Sequence, residues 1–303
     1  MSGALWVLTA LLGVGVTEPG ESVPAHPPTV SAVVPDASSW MRLSPQGRAR
    51  VFEGMKGLPL PVRLLNVSAH FFGTPYVVSP LGEGSGKDPD PRMRFDAVDC
   101  LTFIEETIAL SLAPTLDEVE EVLTRLRYAH APTYEDRNHL MEAQWIPNNE
   151  AKGFLKDVTA LYGGPHVVES AKVLTAGSWA SPSSRSLGLP PDRQRVGRFP
   201  LRYVPLADLE AQASRVPDGT LLLVVREELE SKVTRVTHLG FLVTRDRQVF
   251  LRHATKGWKN AVIDEPLHHF LGRVARHNGE APAWTVVGAS LFEVQAPPAR
   301  LSL

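Results

Sequence analysis

The chain has 303 residues and a formal net charge of -2 at pH 7, with no run of like charges, which argues against a nucleic-acid partner. It has one cysteine, which excludes a disulfide framework and any zinc site built on cysteines. In chain order, Ala4 to Val16 is a short apolar run, too short to span a bilayer. The Pro-, Ser- and Gly-rich stretch after it completes the pattern of a secretory signal followed by a linker, over residues 1–38. The run lacks the usual Lys or Arg in front of it and has no A-x-A site behind it. From Trp40 to about Leu65 the pattern is helical, with Ser44-Pro45 as a helix start. Gly82 to Pro91 is a loop by composition.

FDAVDCLTFIEETIALSL follows. Ile104, Ile108 and Leu112 recur every four residues, which predicts a helix from Cys100 to Leu112 with Asp99 as N-cap. Pro114 ends it, and Thr115 with Glu118 predicts a capping box for a second helix carrying Leu116, Val119, Leu123 and Leu126. Residues 128–164 are aromatic and polar, closing in a helical piece near Lys156 to Leu161. Ser178 to Pro191 is a long loop. The remainder is β: strands at Leu221–Arg226, Val236–Thr244, Val249–Ala254 and Trp284–Glu293. Helices first and antiparallel strands later is the α+β pattern. Residues 39–295 form one domain, with an insert at about 128–200 and a tail at 296–303.

Cys100 is the residue that needs a reason. A lone cysteine in an apolar helix is more often an inert buried hydrophobe than a nucleophile. A helix N-terminus, however, favours the thiolate and offers backbone N–H groups to an oxyanion. Partners come from the hairpin. A turn centred on Asp246 and Arg247 sets His253 opposite Gly240 and His238 opposite Thr255. Both histidines then share one face, about 7–8 Å apart at Cα. If the helix end packs on that face, Cys100, His238 and His253 supply a nucleophile, a base and an orienting group. His268 and His269 are adjacent on one predicted helix, where neighbouring side chains diverge, and are structural.

DC opening an apolar helix, then H-x-G-F, then HA on the next strand, resembles the NlpC/P60 cysteine hydrolases. The blocks FFGTPYVVSPLGE, FDAVDCLTFIEETIAL, YEDRNHLMEAQWIPNNEAKGFLKDVT and THLGFL resemble, more narrowly, the N-acetylmuramoyl-L-alanine amidase-like branch (domain of unknown function 1460). The resemblance implies a papain-like fold, with the nucleophile helix on a small antiparallel sheet. It implies hydrolysis of the amide between N-acetylmuramic acid, in its anhydro form, and L-alanine, through a Cys100 thioester. His238 would be the base and His253 its orienting partner. Tyr76 and Asp99 would line the site, Asp99 chiefly as a cap. Arg137, His139, Trp145, Asn148 and Asn149 would recognise substrate. No metal or cofactor is implied. Muropeptides are the expected partners of an exported monomer, periplasmic or extracellular, that is not inserted in a membrane once its signal is removed. Cleavage of the γ-D-glutamyl–diaminopimelate bond, or murein binding by an inactive triad, are the alternatives. The segment after Lys172 lacks the His-Pro and Tyr expected there.

Overall fold

The computed structural model describes residues 39–257, 259–280 and 284–298; the signal-like segment 1–38 lies outside these. The region expected as one helix from Trp40 to Leu65 is two, α1 (Pro45–Met55) and α2 (Leu60–Ala69). Gly57 at φ +79° and Pro59 stop the first helix. Ser44 caps α1 by accepting from the Gly47 N–H at 3.1 Å.

Helix α3 spans Cys100–Leu112, the range its pattern predicts. It is buried on nearly every side, with Phe103, Ile104 and Ile108 fully covered. A short 3-10 turn then leads into α4 (Val119–Arg127). The expected capping box does not form: Thr115 Oγ1 donates to the Glu118 carboxylate at 2.7 Å instead of accepting from the backbone.

The insert carries α5 (Ile146–Ala151), β1 (Leu155–Asp157) and α6 (Thr159–Gly163), so a strand replaces the first half of the helical piece expected there. After β2 (Val168–Leu174), the stretch expected as a loop folds into two single-turn helices, α7 (Ala176–Ala180) and α8 (Pro182–Arg185). Strand β3 (Gly197–Pro205) and helix α9 (Leu206–Ala213) come next. The C-terminal part runs β4 (Leu221–Arg226), β5 (Val236–Arg245), β6 (Gln248–Thr255), β7 (Ala261–Pro266), α10 (Leu267–His277) and β8 (Val286–Val294).

The strands form one antiparallel sheet in the order β2-β3-β8-β4-β5-β6-β7, with β1 paired to β8. The fold is α+β, and helices cover both faces. Leu221, Leu223, Val225, Leu239, Phe241 and Val243 pack towards α3. Leu222, Val224, Leu242 and Leu251 pack towards α9 and α10, with Leu209, Phe270 and Val274. Double coverage explains why β4 is buried at five successive residues instead of alternating. Among the described residues no helix is long and apolar enough to cross a membrane.

The hairpin has the register its turn predicts, with Phe241 opposite Arg252 and Arg245 opposite Gln248. Asp246 and Arg247 both take positive φ, as a two-residue turn of this hand requires. The β5–β6 ladder ends at Phe241–Arg252, although both strands continue. On its other edge β5 carries a bulge between its pairings to Val224 and Val225. Irregular pairing on both edges of residues 236–240 is where the chemistry-bearing side chains gather.

Candidate active site

Asp99 is the cap of α3. Its Oδ1 accepts from the Leu101 and Thr102 N–H groups at 3.0 and 2.8 Å, and Thr102 Oγ1 accepts from the Asp99 N–H at 2.8 Å. Asp99 Oδ2 also accepts from the Ser79 N–H at 3.2 Å, which ties the preceding loop to the helix end. With Phe103 N–H on the Asp99 carbonyl, the first-turn donor not taken by Asp99 is that of Cys100 itself. That narrows the oxyanion donors expected at this helix end to one.

Cys100 is half-buried. Burial pushes its thiol pKa up to about 12, and the Asp99 carboxylate adds to the effect. Backbone groups of Leu239, Cys100 and Leu101 oppose this, the direction N–H dipoles give beside a thiolate. The helix end therefore does not leave a standing thiolate; desolvation and the cap's own charge outweigh the dipole. Tyr76 lies in the same place, held by Tyr76 N–H on the Asn260 carbonyl at 2.9 Å. Burial, then Cys100 and Asp99, raise its phenol to about 12.

The two histidines meet. His238 Nε2 is 2.6 Å from His253 Nδ1, and their rings are edge to face. Both rings lie against Phe270 of α10, with centroids 6.0 and 5.7 Å away. Their face of the sheet is thus the one under α10, whereas the body of α3 packs on the other. The bulge and the alternation of β5 produce this: Val236 and Leu239 turn towards α3, and His238 turns away. The Cys100 thiol reaches the strand at the backbone of Leu239, one residue along from His238. Sulfur and imidazole approach β5 at consecutive residues, beside the opening where β5 no longer pairs with β6.

Two partners in this site were not expected from the sequence. His253 Nε2 lies 3.3 Å from Glu265 Oε2 on β7. Arg273 of α10 grips the same carboxylate through Nη2 at 2.7 Å and Nε at 3.2 Å. Burial would raise the Glu265 pKa, but His253 and Arg273 together hold it down at about 2. A carboxylate can only accept, so His253 carries its proton on Nε2 and offers Nδ1 as an acceptor. His238 then donates from Nε2, and its Nδ1 lone pair is left as the base. Burial, reinforced for His238 by His253 and Arg273, lowers the pKa of both rings, so both are neutral at rest. The signal for this extension was present in PLHHFLGRV, where Leu267, Phe270, Leu271 and Val274 have helical spacing and Glu265 stands two residues before the helix.

The remaining expected site residues lie in the insert and are tied to the loop and helix beside it. Arg137 pairs with Glu83 and Asp88 at 2.6 and 2.7 Å. His139, pushed down to about 4 by burial, is neutral and holds the Tyr134 carbonyl at 2.6 Å. Trp145 Nε1 donates to Glu105 at 2.9 Å, and Glu105 is itself raised to about 7 by burial against the pull of Arg127. Asn148 donates to Asn138 at 2.6 Å, and Asn149 donates to the carbonyls of Trp145 and Leu126. Trp145 and Asn149 are 0% exposed, which leaves no surface on which a ligand could lie. We read these two as anchors of the insert. His268 and His269 are exposed, and their rings stand 4.3 Å apart instead of diverging. Among the described residues no cluster of metal-ligating side chains occurs.

The N-acetylmuramoyl-L-alanine amidase-like (AmiA-like) family model matches residues 66–276, which hold Cys100, both histidines and Glu265. The chain belongs to this amidase-like family. No curated protein matches it. Among solved structures, a Legionella pneumophila protein of the DUF1460 family superposes with a TM-score of 0.69 at 22% identity, covering 82% of this chain and 93% of that one. An N-acetylmuramoyl-L-alanine amidase from Bacteroides uniformis gives 0.61 at 21% identity, covering 77% and 98%. A putative xylanase from Bacteroides fragilis gives 0.59 at 22%, covering 75% and 99%. These likenesses fix the fold, and the different names on one fold leave the reaction to be argued from the site.

Proposed function

We propose that this amidase-like chain is a cysteine hydrolase of the NlpC/P60 type, exported to act on muropeptides at the amide between N-acetylmuramic acid and L-alanine. The carrying observation is the series Glu265–His253–His238, in which the Glu265 carboxylate lies 3.3 Å from His253 Nε2 and the two imidazoles are hydrogen-bonded; this leaves His238 Nδ1 as a base next to the residue that touches Cys100. In this reading the Cys100 proton passes to His238 Nδ1 as sulfur attacks the lactyl carbonyl carbon. The Cys100 N–H stabilises the oxyanion that forms. Collapse breaks the C–N bond, and His238 protonates the leaving amine of L-alanine. Water then attacks the muramoyl thioester, giving its proton to His238, and the acid and the thiol are released.

A neutral resting pair suits this order of events. With the thiol high and the imidazole low, proton transfer is driven by substrate attack and not completed before it. The matching muropeptide chemistry and the amidase-like family support the substrate class. The anhydro form of the sugar is the variant we favour. Digestion of defined anhydro-muropeptides followed by mass analysis tests the bond. A free stem peptide beginning with L-alanine is expected, and release of diaminopimelate-containing fragments with the sugar still on L-alanine would refute it.

A further inference from the structure

Beside His238, at the end of β4, a cavity of about 450 Å³ opens between the sheet and α10. Arg226, Thr237, Arg273 and Trp284 line it, with Val274 and Val286 as its apolar wall. None of its described lining residues is acidic. Arg226 is half-buried, and burial alone pushes its pKa down. Its Nε donates to Thr237 Oγ1 at 3.0 Å, and its guanidinium lies 5.4 Å from the Trp284 ring. Lys232 Nζ lies 5.4 Å from the same ring. Arg273 already grips Glu265, and His277 on the rim meets Glu280 at 3.0 Å, which leaves Arg226 as the lining guanidinium with no carboxylate partner among the described residues.

A desolvated cation with no counter-ion is costly, and the cost is recovered when an anion enters. A guanidinium fork beside a hydroxyl and an indole fits a carboxylate attached to a small apolar chain. Thr237 adjoins His238, and both guanidinia act on the His238 ring electrostatically. In a muropeptide, glutamate linked through its side chain keeps its α-carboxylate free one residue beyond the lactyl–alanine amide. At extended reach that group is about 7 Å from the scissile bond.

We propose that this cavity binds the α-carboxylate of the γ-linked glutamate in the peptide stem, with Arg226 as the residue that anchors it. The proposal rests on the amidase reading, and it assigns the part of the substrate that sets affinity. Arg273 contributes charge to the cavity while holding Glu265.

Calorimetry with Cys100→Ala protein, which cannot turn substrate over, tests it with N-acetylmuramoyl-L-alanyl-D-glutamate γ-methylamide in two forms, α-acid and α-amide. The acid is expected to bind at least tenfold more tightly than the amide. Arg226→Gln is expected to abolish that preference, and Arg247→Gln, a charge change in the exposed hairpin turn, to leave it intact. Equal affinity for acid and amide overturns the assignment without requiring any Arg226 variant to fold. So does a preference that survives Arg226→Gln, or displacement of the acid by equimolar inorganic phosphate, which marks a site for any small anion. Because the assay measures binding only, a carboxylate preference without hydrolysis refutes the amidase and keeps the cavity. Hydrolysis without the preference does the reverse.

Discussion

Replacing Cys100 with alanine is expected to lower muropeptide hydrolysis by about four orders of magnitude or more while muropeptide binding persists. The side chain is small and half-buried, so its removal costs little packing. Alanine also keeps the backbone N–H of residue 100, and with it the oxyanion donor. What is lost is the nucleophile alone. Serine in its place restores an O–H but not the softer, more acidic sulfur, and should recover little. Removing the imidazole with His238→Ala should give a loss of similar size, and combining both changes should cost scarcely more than either, as for groups that act as one unit. Steady-state rates on defined muropeptides check this. Near-normal turnover by the alanine variant would remove Cys100 from the chemistry.

The second large effect is at Glu265. Glu265→Gln keeps an acceptor for His253 Nε2 but removes the charge that fixes the tautomer of both rings. It is expected to lower kcat by about 10- to 100-fold with KM nearly unchanged, because Glu265 is a positioning residue and does not meet the substrate. The same change carries a stability signature. Glu265 is held at about 2 in the fold, below its ordinary value of 4.5. A carboxylate depressed in this way stabilises the fold at all pH above its unfolded pKa, and that contribution fades as pH falls towards the folded one. With solvent screening at the partly exposed Arg273 partner, the contribution is about 1–2 kcal/mol. Denaturant unfolding should show the variant weaker than the parent at pH 7, with the gap closing between about pH 4.5 and 2. A constant gap across that window, or an unchanged kcat, would show that Glu265 acts otherwise.

The local signals in the sequence were sufficient for the nucleophile helix and for the hairpin. Asp99, Cys100 and the four-residue apolar repeat define α3 to the residue, because a side-chain cap and a proline stop are both local. The hairpin register followed from the Asp246–Arg247 turn, since a two-residue loop permits one pairing. Which face the histidines occupy was not legible. It depends on a bulge between Val236 and His238 and on the early end of the β5–β6 ladder, and neither leaves a mark in the sequence. Strand β3 was hidden by its two prolines, residues that strands usually avoid.

The protonation of Cys100 was misjudged for a related reason. A helix N-terminus favours a thiolate only where burial does not outweigh its dipole; here burial has the larger effect, and the Asp99 cap, which takes two of the first-turn N–H groups, adds to it. Trp145 and Asn149 were grouped with the substrate-recognising residues because tryptophan and amide side chains serve both ligands and loop anchors. Only burial distinguishes the uses, and burial is a tertiary property.

The covalent intermediate tests the central claim most directly, because it reports the nucleophile and the bond together. Turnover of an anhydro-muropeptide in the presence of hydroxylamine, which intercepts thioesters, is predicted to yield the hydroxamate of the muramic lactyl group alongside a free stem peptide beginning with L-alanine. A hydroxamate formed on the γ-carbonyl of glutamate, or products containing only free acid at every hydroxylamine concentration, would contradict a muramoyl thioester on Cys100.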